Sequence, residues 1–147
     1  MSIEDDVALL SSIPTLRVLG MGALRVLAIG SEQCNFEHGD VLFNAGDAAD
    51  AGFVVQRGTF RIEDGNGAAM NAGPGALIGE LALINAMQRP STATALEHSS
   101  VLRIARSLFQ RVLESDPAAA YRLRDVFANR TSQIARDILM AGAKLSI

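Results

Sequence analysis

From Gln33 onward the chain is cut into short runs rich in Val, Phe and Ile by Gly39-Asp40, Gly46-Asp47, Gly52, Gly58 and Asp64-Gly65-Asn66-Gly67. Such punctuation leaves room for strands joined by tight turns and none for a helix of ordinary length. Phe60 and Ile62 alternate with Arg61 and Glu63, the period of a strand with one buried face. Several strands of this kind in series predict an antiparallel β-roll over residues 31–105.

Helical periodicity flanks the roll. Residues 3–30 alternate apolar clusters with Ser, Pro and Gly breaks, and Leu24, Leu27 and Ala28 fall at helical spacing, so two short helices are predicted there. Thr92–Leu96 and Ser100–Ala105 read as a second strand pair joined across Glu97, His98 and Ser99. The helical period then returns, with Leu108, Phe109, Val112 and Leu113 on one face. Asp116 reads as an N-cap with Pro117 at the first helical position, and nothing breaks the pattern to about Ala143. The expected fold class is α+β: an antiparallel, double-stranded jelly-roll-like β-roll with N-terminal helices in 1–30 and two C-terminal helices in 106–147, the last one long. No internal repeat or Pro/Ser-rich linker divides the chain, so one domain over 1–147 is expected.

Along the last helix Ala120, Arg124, Phe127, Thr131, Ile134, Ile138, Ala141 and Leu145 alternate in steps of four and three. This is a coiled-coil rhythm weakened by its arginine and threonine. Two readings are open: Phe127, Ile134 and Ile138 pack on the roll, or residues 117–145 join two subunits as a homodimer.

Several function classes are disfavoured. No run of ~18 apolar residues and no signal-peptide pattern at MSIEDDVALL point to a cytoplasmic protein without a membrane partner. Cys34 stands alone, and His38 four residues on falls beside a glycine turn, so no metal site is expected. A net charge of −3 argues against direct DNA binding. No Ser/His/Asp or Cys/His constellation is present, and GPGALIG at 73–79 lacks the lysine and Ser/Thr of a phosphate-binding P-loop. Neither a catalytic residue nor a cofactor is assigned, and the chain is not expected to be an enzyme.

One segment does carry binding chemistry. Residues 79–94 read GELALINAMQRPSTAT. Arginine offers a planar fork of donors to phosphate oxygens, glutamate accepts from hydroxyls, and the start of a short helix adds backbone N–H groups. A small ligand with a phosphate and a sugar suits this set.

With the upstream FEHGDVLFNAGDAADAGFVVQRGTFRI and its Gly39, Gly46, Asp47 and Gly58, the segment resembles the phosphate-binding cassette and β-roll of the cyclic nucleotide-binding domain family. That family supplies the regulatory modules of cAMP-dependent kinases, cyclic-nucleotide-gated channels and bacterial catabolite activators. The resemblance covers roughly residues 13–140 and places the cassette, with its short helix, at 78–92. It implies that Arg89 neutralises a cyclic phosphate and that Glu80 accepts from the ribose 2′-hydroxyl. Gly79, Leu81 and Ala82 would give backbone N–H groups, with Leu81, Leu83 and Ile84 anchoring the short helix in the core. Ser91 and Thr92 would donate to the phosphate or accept from the amino group of a syn guanine, or else simply begin the next strand. Pro90 departs from the pattern, because the small residue usual after the arginine binds phosphate through an N–H that proline lacks. Either Ser91 replaces that donor or one bond is missing.

Further on, ANRTSQIA at 128–135 is similar to a stretch on the dimer helix of the catabolite activators, where a threonine and a serine contact the adenine amino group from different subunits. Carried over, Thr131 and Ser132 read the base, favouring cAMP over cGMP. With no recognition helix before Ile147, the expectation is a stand-alone cyclic nucleotide sensor acting on an unidentified effector protein by a shift in helix packing. The alternative is a nucleotide-free relative serving as a dimerisation or interaction module.

Overall fold

The computed structural model describes residues 2–128. Three helices precede the roll where two were expected: α1 (Ile3–Ser11), α2 (Pro14–Arg17) and α3 (Met21–Gly30). The same breaks that suggested separate helices account for the third. Pro14 opens a short helix of its own after α1 ends, and Gly20, at φ 92°, stops the chain again before α3. Ser2 and Asp5 cap α1 reciprocally: the Asp5 N–H donates to Ser2 Oγ at 3.1 Å and the Ser2 N–H to Asp5 Oδ2 at 3.4 Å.

Ten strands follow: β1 (Glu32–Phe36), β2 (Val41–Phe43), β3 (Ala48–Ala49), β4 (Ala51–Arg57), β5 (Phe60–Asp64), β6 (Ala69–Ala72), β7 (Leu77–Ile78), β8 (Met87–Gln88), β9 (Ser91–Ala95) and β10 (Ser99–Ala105). They form two antiparallel four-stranded sheets, in the orders β1-β10-β4-β7 and β2-β9-β5-β6, and a small β3-β8 pair. β5 and β6 make the expected hairpin, pairing Glu63 with Ala69 across the Asp64 to Gly67 turn.

β9 and β10 are not a hairpin, which corrects the sequence reading. Periodicity identifies a strand but not its partner, and here β9 lies in one sheet and β10 in the other. The chain also changes sheet between β4 and β5, at Gly58, and the two crossings interlock. The Thr59 N–H donates to Ser99 Oγ at 3.2 Å and the Leu96 N–H to the Thr59 carbonyl at 2.9 Å. Gly58 has φ 86°, and a Cβ there would overlap the Ser99 side chain and lie 2.7 Å from the His98 carbonyl. Only glycine supplies both the angle and the space.

Two cores result. The helical core joins Leu10, Leu16, Leu24 and Leu27 to Phe109 and Val112 of α4 (Arg106–Ser115), and the roll interior contains Phe53, Phe60, Ala95 and Val101. β4 is buried on both faces, Val54 facing the helical core while Ala51, Phe53 and Val55 face the roll. Strand alternation makes this sheet a wall between them.

Residues 117–128 are helical, and the Ala119 N–H donates to Asp116 Oδ1 at 3.2 Å, as a cap at Asp116 requires. Ala119 and Leu123 are the buried line of this segment, and Phe127 packs partly against the helical core. Phe127 therefore does not belong wholly to a solvent-facing seam, since the 119/123/127 spacing is the one that reaches the core. Thr131, Ser132 and the rest of the predicted seam lie outside the described residues. Among the described residues no helix is long and apolar enough to cross a membrane, and no group of three or more His, Cys, Asp or Glu is placed to hold a metal.

Candidate functional site

Arg89 sits at the end of β8, and its backbone is pinned to the β2–β3 turn. Its N–H donates to the Asp47 carbonyl at 2.7 Å, and its carbonyl accepts from the Gly46 N–H at 2.8 Å. These bonds aim the side chain inward, where only 5% of it is exposed. The guanidinium carbon lies 4.3 Å from the Phe43 ring centre and 5.3 Å from that of Phe53, and Nη2 donates to the Ala51 carbonyl at 2.7 Å. Nε is buried with no hydrogen-bond partner among the described residues, and no carboxylate among them forms an ion pair with Arg89. Burial pulls the guanidinium pKa below its ordinary value, with Asp50 opposing the shift. A buried cation held by aromatic faces and one neutral carbonyl is a site for an anion.

Gly79 meets Arg89 directly. It has φ 77°, and a Cβ would overlap Arg89 Nη1, so glycine is needed for the arginine to reach its place. The cassette helix that follows is a single 3-10 turn, Glu80–Leu83. Leu83 is buried in the helical core as expected, but Leu81 is 54% exposed, which corrects its reading as a core anchor. A 3-10 turn of four residues buries one side only, and Ala82 and Leu83 occupy it. Arg106 steadies the turn from outside: Nη1 lies 3.2 Å from the Ala82 carbonyl, 3.1 Å from that of Asn85 and 2.8 Å from that of Ala49. The sequence reading did not single out Arg106, although an arginine opening α4 beside the cassette's last carbonyls is a complementary charge.

A cleft of about 210 Å³ runs along this surface. Gly79, Glu80, Leu81, Arg89 and Ser91, all predicted, line it together with Pro90. Two predicted contacts are elsewhere. The Ala82 N–H donates to the Gly79 carbonyl at 3.1 Å inside the turn, and the residue is wholly buried. Thr92 does not line the cleft; its Oγ1 accepts from the Ala45 N–H at 2.9 Å. Ala93 and Ala95 of β9 are buried in the roll, so the pleat turns Thr92 to the other side from Ser91. Thr131 and Ser132 lie outside the described residues. Phe43, Ile62, Ile78 and Met87 give the cleft an apolar floor that sequence reasoning missed. The inward phase of Ile62 was readable from its alternation with Arg61 and Glu63, but nothing local said that it borders a ligand space.

The family model for the cyclic nucleotide-binding domain matches residues 33–116. Among solved structures, a cyclic nucleotide-binding-like protein from Brucella abortus is 35% identical, with 75% of this chain and 98% of that one covered at a TM-score of 0.67. The N-terminal domain of a transcriptional regulator from Streptomyces coelicolor is 27% identical, with 88% and 94% covered at a TM-score of 0.80. A curated relative, lysophospholipase NTE1 of Chaetomium globosum, is 28% identical over 104 residues, 67% of this chain and 7% of that protein. The chain thus spans a small fraction of the length of that protein.

Proposed function

Since the chain belongs to the cyclic nucleotide-binding domain family, we propose that it is a cytoplasmic sensor whose cleft binds a 3′,5′-cyclic nucleotide, cAMP in preference to cGMP. The observation that carries this reading is the buried Arg89 guanidinium, with an unpartnered Nε and no carboxylate ion pair among the described residues. A cyclic phosphate supplies the missing acceptor and the missing charge. Glu80 takes the ribose 2′-hydroxyl, the N–H groups of Gly79 and Leu81 and the Ser91 hydroxyl bound the phosphate, and Phe43, Ile62, Ile78 and Met87 cover apolar parts of the ligand. Thr92, one of the two hydroxyls a syn guanine would use, is turned toward Ala45, which supports adenine. The signal passes to an effector protein through the helices on either side of the cassette, with residues 117–145 as the dimer contact and the whole chain as one ligand-binding domain.

The experiment is a thermal-shift panel of cyclic nucleotides. At a ligand concentration 100 times Kd, binding adds about 2.7 kcal/mol, which raises the melting temperature of a chain this size by about 8 °C. The rise is expected with cAMP, to be smaller with cGMP at equal concentration, and absent with 5′-AMP. No shift with any cyclic nucleotide at millimolar concentration would instead make the chain an interaction module on the same fold.

Pro90 lines the cleft next to Arg89, where its missing N–H limits affinity. Pro90→Ala restores a donor, and one hydrogen bond to a charged phosphate is worth about 1.5 kcal/mol, or roughly tenfold in affinity. Calorimetry should find Kd for cAMP lowered by five- to tenfold, on the order of that one bond. An unchanged Kd would mean that the backbone at residue 90 does not face the phosphate.

A further inference from the structure

α2 reaches the candidate sugar-binding group from the other end of the chain. Thr15 Oγ1 donates to Glu80 Oε2 at 2.7 Å, a contact between residues 65 apart in sequence. The donor is held in place: Thr15 is 5% exposed, Ile13 4% and Leu16 0%, and Pro14 fixes the first turn of the helix that carries it. Glu80 is partly buried and lines the cleft, so its carboxylate lies between a rigid hydroxyl and the ligand space. A bond of this length to a carboxylate is charge-assisted, and its donor is carried on a short helix packed into the helical core. Thr15 therefore stays on Glu80 as ligand enters. One hydroxyl donor uses one of the roughly four lone-pair sites of a carboxylate, and it fixes the direction of the others.

We propose that Thr15 is a positioning residue for ribose recognition: its hydroxyl orients the Glu80 carboxylate toward the 2′-hydroxyl of the nucleotide and ties that recognition to the packing of the N-terminal helices. The proposal rests on the reading of Glu80 as the sugar acceptor. It follows that a displacement of α2 changes how well the site distinguishes ribose from deoxyribose, and that ribose binding in turn holds α2 in place.

The test measures binding of cAMP and of 2′-deoxy-cAMP by calorimetry to the wild type and to Thr15→Val, Thr15→Ser and Glu80→Gln, with affinities taken per folded protein from circular dichroism. The wild type is expected to prefer cAMP. Thr15→Val, nearly the same shape without the hydroxyl, is expected to lose about tenfold in cAMP affinity, the scale of one charge-assisted bond, while 2′-deoxy-cAMP binding is unchanged. The sugar preference collapses, and Thr15→Ser restores it. Equal losses for both ligands would overturn the proposal by making Thr15 merely structural, and a gain in cAMP affinity would overturn it by making Thr15 a competitor of the sugar. A preference that survives Glu80→Gln would instead bring down the reading of Glu80, and the proposal with it. Loss in Glu80→Gln with the preference intact in Thr15→Val would overturn the role of Thr15 alone.

Discussion

Arg89→Met is expected to abolish cyclic nucleotide binding while leaving the ligand-free protein as stable as the wild type to within about 1 kcal/mol, taking the near-neutral exchange of a buried charge for an apolar group as guide. Methionine fills much of the arginine stem and keeps contact with Phe43 and Phe53, which hold the guanidinium at 4.3 and 5.3 Å. What is lost in the ligand-free protein is the bond to the Ala51 carbonyl and the cation–π attraction; what is relieved is a buried charge with an unpartnered Nε. With ligand the balance is one-sided. Two charge-assisted bonds to phosphate contribute about 3 kcal/mol or more, so affinity falls at least a hundredfold. Denaturant melts of the ligand-free protein and calorimetry with cAMP check the two halves separately. Binding within threefold of wild type, roughly 0.7 kcal/mol, would remove Arg89 from the site.

The largest effect on stability is expected from Gly58→Ala. An L-residue in the left-handed region costs roughly 1–2 kcal/mol. The added Cβ also overlaps the Ser99 side chain and approaches the His98 carbonyl to 2.7 Å, so the two sheet crossings must separate to admit it. Together these amount to about 3–4 kcal/mol and a fall in melting temperature of about 10 °C. Gly39 has a similar φ of 89° with open space around a Cβ, so Gly39→Ala isolates the angular cost. Gly58→Ala melting no lower than Gly39→Ala would show that the crossing yields freely, against the interlocked geometry.

The parts of this molecule written in short-range pattern were legible before any coordinates. Gly39, Gly46 and Gly58 all adopt positive φ at turns. The cassette brings Gly79, Glu80, Arg89 and Ser91 to one cleft because they lie within thirteen consecutive residues, at the start of the 3-10 turn and at the junction of β8 with β9. Long-range choices were not legible. Whether β9 pairs with β10 depends on where the chain crosses between sheets, and strand periodicity is the same in either case. The aromatic faces on Arg89 come from β2 and β4, and the hydroxyl on Glu80 comes from α2; no spacing rule connects those stretches to the cassette. Leu81 failed because three apolar residues in a row cannot all face one way: the turn buries Ala82 and Leu83 and leaves Leu81 outside. Phe127 fits both a seam and a core contact by periodicity, and in the fold it packs partly against the helical core.

The two-faced burial of β4 bears on how the protein comes apart. Its Val54, with Leu102 and Ile104 on β10, backs the helical core, while Phe53, Val55 and Val101 on the same strands back the roll. Melting of either compartment alone would strip one side of this sheet bare to water and remove the support that keeps the other side flat. The halves are therefore bound into a single cooperative transition although their apolar residues are divided. A ligand that tightens the roll consequently raises the melting point of helices it never touches, which turns the common wall into a route from the cleft to the helical core.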